Sequence, residues 1–153
     1  MESLQDDRPK WLSGRWSPLV RIVETAYGRR WTDLCNPDGP GLYRLIALVE
    51  DNEQGFVPAP LNRVCGIDHT GTLYIGKTSS LRSRLHSLVR ANNPSFLVGG
   101  GHAHMPDTLR RRFPFQLRAI TWLRSSDLSN GETELFEKYT KRFGELPPMN
   151  LNG

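Results

Sequence analysis

The sequence has only two cysteines and no long hydrophobic run, and each absence excludes a class of protein. Cys35 and Cys65 lack CxxC spacing, which excludes a zinc ribbon or a thioredoxin-like motif. They could form one disulfide, but two buried thiols are the expectation for a cytoplasmic protein. No segment approaches the roughly 18 apolar residues that a membrane span needs. Because the first residues, MESLQDDRPK, lack the apolar core of a signal peptide, we expect a cytoplasmic protein.

The chain is long enough to form one domain with a buried core. At 153 residues, roughly two-thirds of the surface of the unfolded chain can be buried on folding. Hydrophobic residues make up 37% of the sequence, and it contains no internal repeat or low-complexity tract. We therefore expect a single globular domain with a short extension.

Positive charge is concentrated in the central third of the chain. Between Lys77 and Arg124 there are nine basic residues and one acid, Asp107, whereas the rest of the chain has eleven basic and fifteen acidic residues. Sixteen of the twenty basic residues are arginines, whose planar guanidinium suits bidentate contact with phosphate. This segregation favours a polyanionic partner over a merely solvated surface.

The first 38 residues are predicted to form an N-terminal extension that packs on the core or docks to a partner. Ser17 can cap a helix, Pro18 suits its first position and Gly28 can end it, so SPLVRIVETAYGRRW is expected to be helical. The turn-rich sequence CNPDGPG then separates the extension from a domain over residues 39–153.

Within residues 39–153, segments with the features of strands and of helices follow one another. Their order, β-β-β-α-β-α, predicts an α+β domain with a small mixed or antiparallel sheet flanked by helices. Gly71 is expected at a positive φ in a hairpin turn, and Gly144 is expected to end the last helix. The predicted strands are 41–50, 63–68, 72–76 and 115–123, and the predicted helices are SSLRSRLHSLVRAN and a helix from Leu128 or Gly131 to Phe143, with TLRRRF a candidate for a further short helix outside this order.

Two tyrosine motifs precede an arginine on the first of these helices. GLY at 41–43 is followed by YIG at 74–76, and Arg84 comes ten residues after Tyr74. Near the end of the chain, Glu132 has apolar residues at the third and fourth following positions, and PPMN ends in Asn150. Together these features closely resemble the GIY-YIG nuclease family, which includes homing endonucleases, repair incision enzymes and some restriction enzymes. The resemblance covers residues 41 to 150.

The resemblance implies a GIY-YIG nuclease-like fold and a role for each matching residue. Glu132 would bind one Mg²⁺ or Mn²⁺, which polarises the scissile phosphate. Arg84 would neutralise charge on the phosphate in the transition state. Tyr43, beside Tyr74, would position or deprotonate the attacking water, and deprotonation needs the cation and Arg84 to lower its pKa. Asn150 would tie its loop to the backbone of the active site.

Some positions depart from the family pattern or leave alternatives open. The family often has His or Tyr four residues after the arginine, where this chain has Leu88. The missing proton-transfer group could be His86, His102 or His104, and His102 in GGGHAH is the candidate; His69, in a turn, is expected to be inert. Glu134 and Glu137 are alternatives to Glu132 as metal ligand, and the long interval from Glu132 to Asn150 is a further departure.

The proposed partner is double-stranded DNA, contacted by basic residues of the central third. We expect an endonuclease, such as a restriction or phage-defence enzyme, which could act as a homodimer to cut both strands. The alternatives are a nucleic-acid-binding module without cleavage, or a nuclease subunit that needs a partner. The predicted DNA contacts are Lys77, Arg82, Arg110, Arg111 and Arg112.

Overall fold

A computed structural model describes residue 9 and residues 11–23, 37–92 and 106–150 of the chain. In these residues an antiparallel sheet is combined with three helices, which confirms the expected α+β class. None of the described helices is long and apolar enough to cross a membrane.

The strands are β1 (Val20–Arg21), β2 (Gly41–Asp51), β3 (Gly55–Pro58), β4 (Leu61–Arg63), β5 (Gly66–Asp68), β6 (Thr72–Thr78) and β7 (Arg118–Arg124). The helices are α1 (Leu81–Asn92), α2 (Asp107–Arg112) and α3 (Leu128–Phe143), and Phe115–Leu117 and Pro148–Asn150 form 3-10 turns.

Strand β2 is the centre of the sheet. On one side it pairs with β7, so that Gly41 lies opposite Arg124 and Ala47 opposite Arg118. On its other side it pairs first with β6 and then, from Leu48 onward, with β3. These pairings are antiparallel, with an irregularity in the register after Leu45. Because β2 is bonded on both sides, the residues at its start are held by two neighbouring strands.

The predicted helix that begins at Ser17 is wrong over its first residues. Val20 and Arg21 form strand β1, which pairs with β7 at the edge of the sheet. Ser17 does not cap a helix there, because its Oγ accepts a hydrogen bond from the backbone N of Trp122 at 3.1 Å. The remainder of the predicted helix, from residue 24, lies outside the described residues. Within the described part of the extension, Ile22 and Val23 are helical as predicted, Val20 and Arg21 join the sheet, and Trp11 and Leu12 are buried in the core.

The predicted hairpin around HTG has the wrong strand pairing. β5 pairs with β4 to form a separate two-stranded sheet, whereas β6 pairs with β2. Gly71 has the expected positive φ, +65°, and a Cβ there would lie only 2.6 Å from the backbone O of Ala47. The turn at Gly71 therefore directs the chain from the small sheet to the main sheet.

The segment between β2 and β5 differs from expectation in two further respects. No strand is predicted between residues 50 and 63, but this segment contains β3, which follows a turn in which Asp51 Oδ1 accepts a hydrogen bond from the N of Glu53 at 2.8 Å. Cys65 is an exposed free thiol in the β4–β5 turn, so the prediction of a buried thiol is wrong for it. Cys35 lies outside the described residues.

A different helix packs on each face of the sheet. Helix α1 contributes Leu81, Leu85 and Leu88, which its helical spacing predicted, to a core that also contains Trp122. Helix α3 ends at Gly144 as predicted, with φ +79°, and packs on the other face. The core on the α3 face contains Trp11, Leu12, Leu42, Ile75, Leu135, Tyr139 and Phe143.

A buried carboxylate, Asp68, joins the small sheet to α3 and β6. Its Oδ1 accepts hydrogen bonds from the N and Oγ1 of Thr70, at 2.8 and 2.6 Å. Its Oδ2 accepts from Tyr139 Oη at 2.8 Å and from the N of Thr72 at 3.3 Å. Because Asp68 is 0% exposed, these four donors take the place of water around the carboxylate.

We predict that Asp68→Asn lowers the free energy of unfolding by about 2 kcal/mol, because the new amide NH₂ must face a backbone N–H, that of Thr70 or that of Thr72, whichever way the amide is turned. Chemical denaturation measures the change. Asp51→Asn is the matched control, since Asp51 makes a similar turn at the surface, and its effect should stay within about 0.5 kcal/mol. An equal loss in both variants would contradict the importance of the buried network.

Candidate active site

Tyr43 and Tyr74 lie side by side on the face of the sheet that α1 covers. Tyr43 of β2 is opposite Gly76 of β6, and Tyr74 is opposite Leu45, so the tyrosines are diagonal neighbours on adjacent strands. Their ring centroids are 6.1 Å apart, with 33° between the planes. Tyr43 is 1% exposed and Tyr74 is half-buried. The two tyrosine motifs are therefore brought together by the pairing of β2 with β6.

The glycines of both motifs are needed for close packing around this pair. A Cβ on Gly76 would lie 2.4 Å from the Cζ and Oη of Tyr43. A Cβ on Gly41 would lie 2.3 Å from the backbone O of Leu123 and 2.6 Å from Cδ1 of Leu81. Neither distance is compatible with a side chain, so the last residue of YIG and the first of GLY must be glycine in this packing.

Arg84 reaches the tyrosine pair from α1. Its Nε donates a hydrogen bond to Tyr43 Oη at 2.9 Å. Ser80 precedes this helix, and its Oγ accepts a long hydrogen bond, 3.4 Å, from the N of Ser83, as expected for a cap. Because Leu81, Leu85 and Leu88 anchor one side of α1 in the core, Arg84 is held at the border of that buried side.

Both tyrosine hydroxyls are held in their protonated form. Burial raises the pKa of Tyr43 from its ordinary value of 10.0, although the hydrogen bond and the charge of Arg84 act to lower it. Burial likewise raises the pKa of Tyr74, and the negative charge of Glu132 acts in the same direction on both tyrosines. The expectation that Arg84 helps to bring the pKa of Tyr43 down is correct in sign, but the effect is outweighed by desolvation. In the protein alone, Tyr43 is therefore a hydrogen-bonding group rather than a base.

Among the three candidate glutamates, Glu132 is the one whose charge acts on the two tyrosines. It lies near the start of α3, and its Oε1 is 3.7 Å from Nζ of Lys77. Glu134 points to the surface, where it pairs with Lys138 at 2.8 Å, and Glu137 is exposed. The geometry thus favours Glu132 over its alternatives, in agreement with the apolar residues at the third and fourth positions after it.

Asn150 is bonded to the backbone next to Tyr74. Its Oδ1 accepts a hydrogen bond from the N of Ile75 at 2.9 Å, and its Nδ2 donates to the O of Ile75 at 3.0 Å. The side chain is 9% exposed, so these bonds are shielded from water. This is the tie between the C-terminal segment and the site that the sequence suggested for Asn150.

Glu132 offers one carboxylate that could bind a metal ion. In the described part of the chain, no group of three or more His, Cys, Asp or Glu side chains is placed to hold a metal by itself. A hard cation such as Mg²⁺ keeps several waters and is commonly held by one or two carboxylates together with substrate phosphates. The donors present fit such a cation, with Glu132 as its anionic ligand.

Of the candidates for proton transfer, only His86 is described. His86 is exposed, and it is two residues beyond Arg84, which at 100° per residue places it on a different side of α1. Leu88, at the position where the family often has His or Tyr, is 1% exposed in the core. His102 and His104 lie outside the described residues, so the prediction for His102 stays a prediction.

The basic residues predicted to contact DNA lie on three elements: Lys77 on β6, Arg82 on α1 and the three consecutive arginines on α2. Arg82 of α1 is half-exposed and forms a 2.8 Å salt bridge with Asp38. Helix α2 contributes no buried residue and exposes its three consecutive arginines. Beside them, burial lowers the pKa of Arg118 to about 10, and the positive charge of Arg110 adds to this effect. The three exposed arginines of α2, together with Arg118 beside them, concentrate positive charge on this part of the surface.

Comparison of the chain with models of protein families, with curated proteins and with solved structures finds no match. The function proposed below therefore depends on the residues and their geometry.

We predict that Gly76→Ala lowers the free energy of unfolding by about 1–3 kcal/mol, because its Cβ must displace the ring of Tyr43. Chemical denaturation gives the value, and the loss should be smaller in a Tyr43→Leu background. Gly131→Ala is the matched control, since its Cβ meets only the flexible end of Leu42, at 3.1 Å, and alanine favours the helix. Equal losses in both alanine variants would argue against the Tyr43 contact.

We also predict that the three described tyrosines remain protonated as the pH rises through 10, because the pKa of each is raised above 10.0. The stabilisation from these raised values is complete below pH 10 and is lost as the unfolded chain begins to ionise above it. Alkaline titration followed by tyrosinate absorbance should therefore show these tyrosines ionising together with unfolding, as monitored by circular dichroism. Stepwise ionisation in the folded protein near pH 10 would contradict the prediction.

Proposed function

We propose that this protein is an endonuclease of the GIY-YIG type, which hydrolyses phosphodiester bonds of DNA with the aid of one divalent cation. The observation that carries the proposal is the convergence of Tyr43, Tyr74, Arg84 and Glu132, which come from four separate elements. These residue types match the family pattern in order as well as in kind. Restriction or phage defence is the biological role that we propose.

The geometry supports an assignment of Arg84 and Tyr43 to the reacting phosphate and water. Arg84 is partly exposed and is oriented by its bond to Tyr43 Oη, so its remaining N–H groups can neutralise charge that develops on the phosphate. The protonated Tyr43 hydroxyl holds the attacking water by hydrogen bonding. The water oxygen then forms the new bond to phosphorus as the bond to the leaving oxygen breaks. We assign the accompanying proton transfer to His102, as the sequence suggested.

Glu132 would hold Mg²⁺ or Mn²⁺, which when bound polarises the scissile phosphate and stabilises the leaving oxygen. Its carboxylate is partly exposed, and its negative charge acts to raise the pKa of both tyrosines. Asn150 fixes the backbone of Ile75 and thereby the position of Tyr74. These residues would set the distance between the cation and the hydroxyls.

Nucleic acid would contact Lys77 at the end of the sheet where β2 begins, and the arginines of α2 near Arg118, which lies opposite Ala47 further along β2. Lys77 is exposed next to Glu132, and the three arginines of α2 are exposed as well. Arginine and lysine contacts of this kind bind phosphates without reading sequence, and their strength falls with salt. Double-stranded DNA is the substrate we propose, and cutting both strands would require a homodimer or two successive nicks.

The test is cleavage of supercoiled plasmid in the presence of Mg²⁺ or Mn²⁺. We predict that the wild-type protein nicks or linearises the plasmid, that EDTA abolishes cleavage, and that Glu132→Gln and Arg84→Ala each slow it by at least about 100-fold. Glu134→Gln removes the same charge from a surface salt bridge and should leave the rate nearly unchanged.

Two other results would redirect the proposal. Cleavage that EDTA abolishes but Glu132→Gln retains would move the metal ligand to another carboxylate, with Glu134 and Glu137 the next to replace. If the folded protein cuts neither plasmid, single-stranded DNA nor RNA, the chain acts as a nucleic-acid-binding module or as a subunit that needs a partner.

A further inference from the structure

Lys77 and Glu132 form a loose charge pair at the edge of the candidate site. Lys77 follows YIG on β6, and Glu132 projects from α3. The Nζ–Oε1 distance is 3.7 Å, and the side chains are 43% and 21% exposed. By contrast, Lys138 and Glu134 on the same helix approach to 2.8 Å, a hydrogen-bonding distance. The Lys77–Glu132 contact is therefore a pairing of charges that solvent can open.

The same carboxylate cannot bind an ammonium and a divalent cation equally well at once. In the free protein, Lys77 neutralises part of the charge that would attract a cation to Glu132. A cation bound to Oε1 would in turn lie within a few ångströms of a like charge. Binding of the cation therefore favours withdrawal of Lys77, which the flexible stem and solvent exposure of this side chain permit.

We infer that Lys77 couples cation binding to nucleic-acid binding by exchanging Glu132 for a phosphate. This inference rests on the proposed function, in which a cation occupies Glu132 and a phosphate lies beside it. The cation displaces the ammonium from the carboxylate, and the released ammonium becomes a phosphate contact. By linkage, each ligand then raises the affinity of the protein for the other. The protein without DNA is accordingly a weak binder of the cation.

Cation binding without DNA is the first measurement. Mn²⁺ is titrated into the intact protein, and free Mn²⁺ is followed by electron paramagnetic resonance. Lys77→Met and Lys77→Gln should each bind Mn²⁺ about three- to fivefold more tightly than the wild type, since the competing ammonium is gone. Lys77→Arg should keep the wild-type affinity, because the positive charge remains. Lys138→Met, which removes the matched lysine beside Glu134, should have no effect.

The second measurement follows binding of a short phosphorothioate DNA duplex, which resists cleavage, by fluorescence anisotropy. Mn²⁺ should raise the affinity of the wild type for the duplex by about fivefold. In Lys77→Met the affinity without Mn²⁺ should fall and the enhancement by Mn²⁺ should shrink, because release of the ammonium no longer contributes. Glu132→Gln should bind the duplex more tightly than the wild type without Mn²⁺ and show no enhancement.

The outcomes distinguish this inference from the proposed function. If Lys77→Met and Lys77→Gln bind Mn²⁺ no better than the wild type while Glu132→Gln loses binding, the coupling is overturned and Glu132 remains the metal ligand. If Glu132→Gln binds Mn²⁺ as well as the wild type, both the coupling and the role of Glu132 are overturned. Thermal unfolding of each variant ensures that folded proteins are compared.

Discussion

The contact of the Tyr43 ring with Gly76 is the constraint on which the candidate site depends. β2 carries Tyr43 and is bonded to β6 and β7 over the same residues, so its backbone cannot move away from either strand. The ring lies where a Cβ of Gly76 would be, which fixes the hydroxyl within reach of Arg84. A change of register between β2 and β6 would replace Gly76 by a larger residue and expel the ring. The register of β2 with β6, the packing of the Tyr43 ring on Gly76 and the position of the Tyr43 hydroxyl therefore depend on one another.

The two helices that complete the site approach from opposite faces of the sheet. α1 covers the face of Tyr43 and supplies Arg84, whereas α3 covers the face of Leu42 and supplies Glu132. Adjacent residues of a strand point to opposite faces, so GLY provides a contact for each helix. Gly131 lets α3 approach Leu42 closely just before Glu132. The guanidinium of Arg84 and the carboxylate of Glu132 thus reach one end of the sheet from opposite faces, and neither charge has to cross the core.

The sequence predicted those elements whose boundaries or buried faces are marked by residues within the element itself. The leucine spacing of α1, the glycine after α3 and the glycine at the β5–β6 turn are such signals, and the structure confirms them. Interactions between distant parts of the chain were not predictable in this way. Ser17 has the features of a helix cap, but its hydroxyl bonds to β7, and β5 pairs with β4 rather than with β6. The raised pKa of Tyr43 likewise depends on packing that no spacing of residues reveals.

Asn150 also affects how the sheet can meet other molecules. In the described residues β6 is paired on one side only, by β2, and an unpaired edge can recruit a strand from another chain. The side-chain amide of Asn150 uses the outward-facing N–H and C=O of Ile75, much as a neighbouring strand would. It therefore blocks strand addition beside the YIG motif. A second copy of the protein, or a peptide, must then meet this edge through side chains, which leaves the backbone next to the tyrosines unchanged on association.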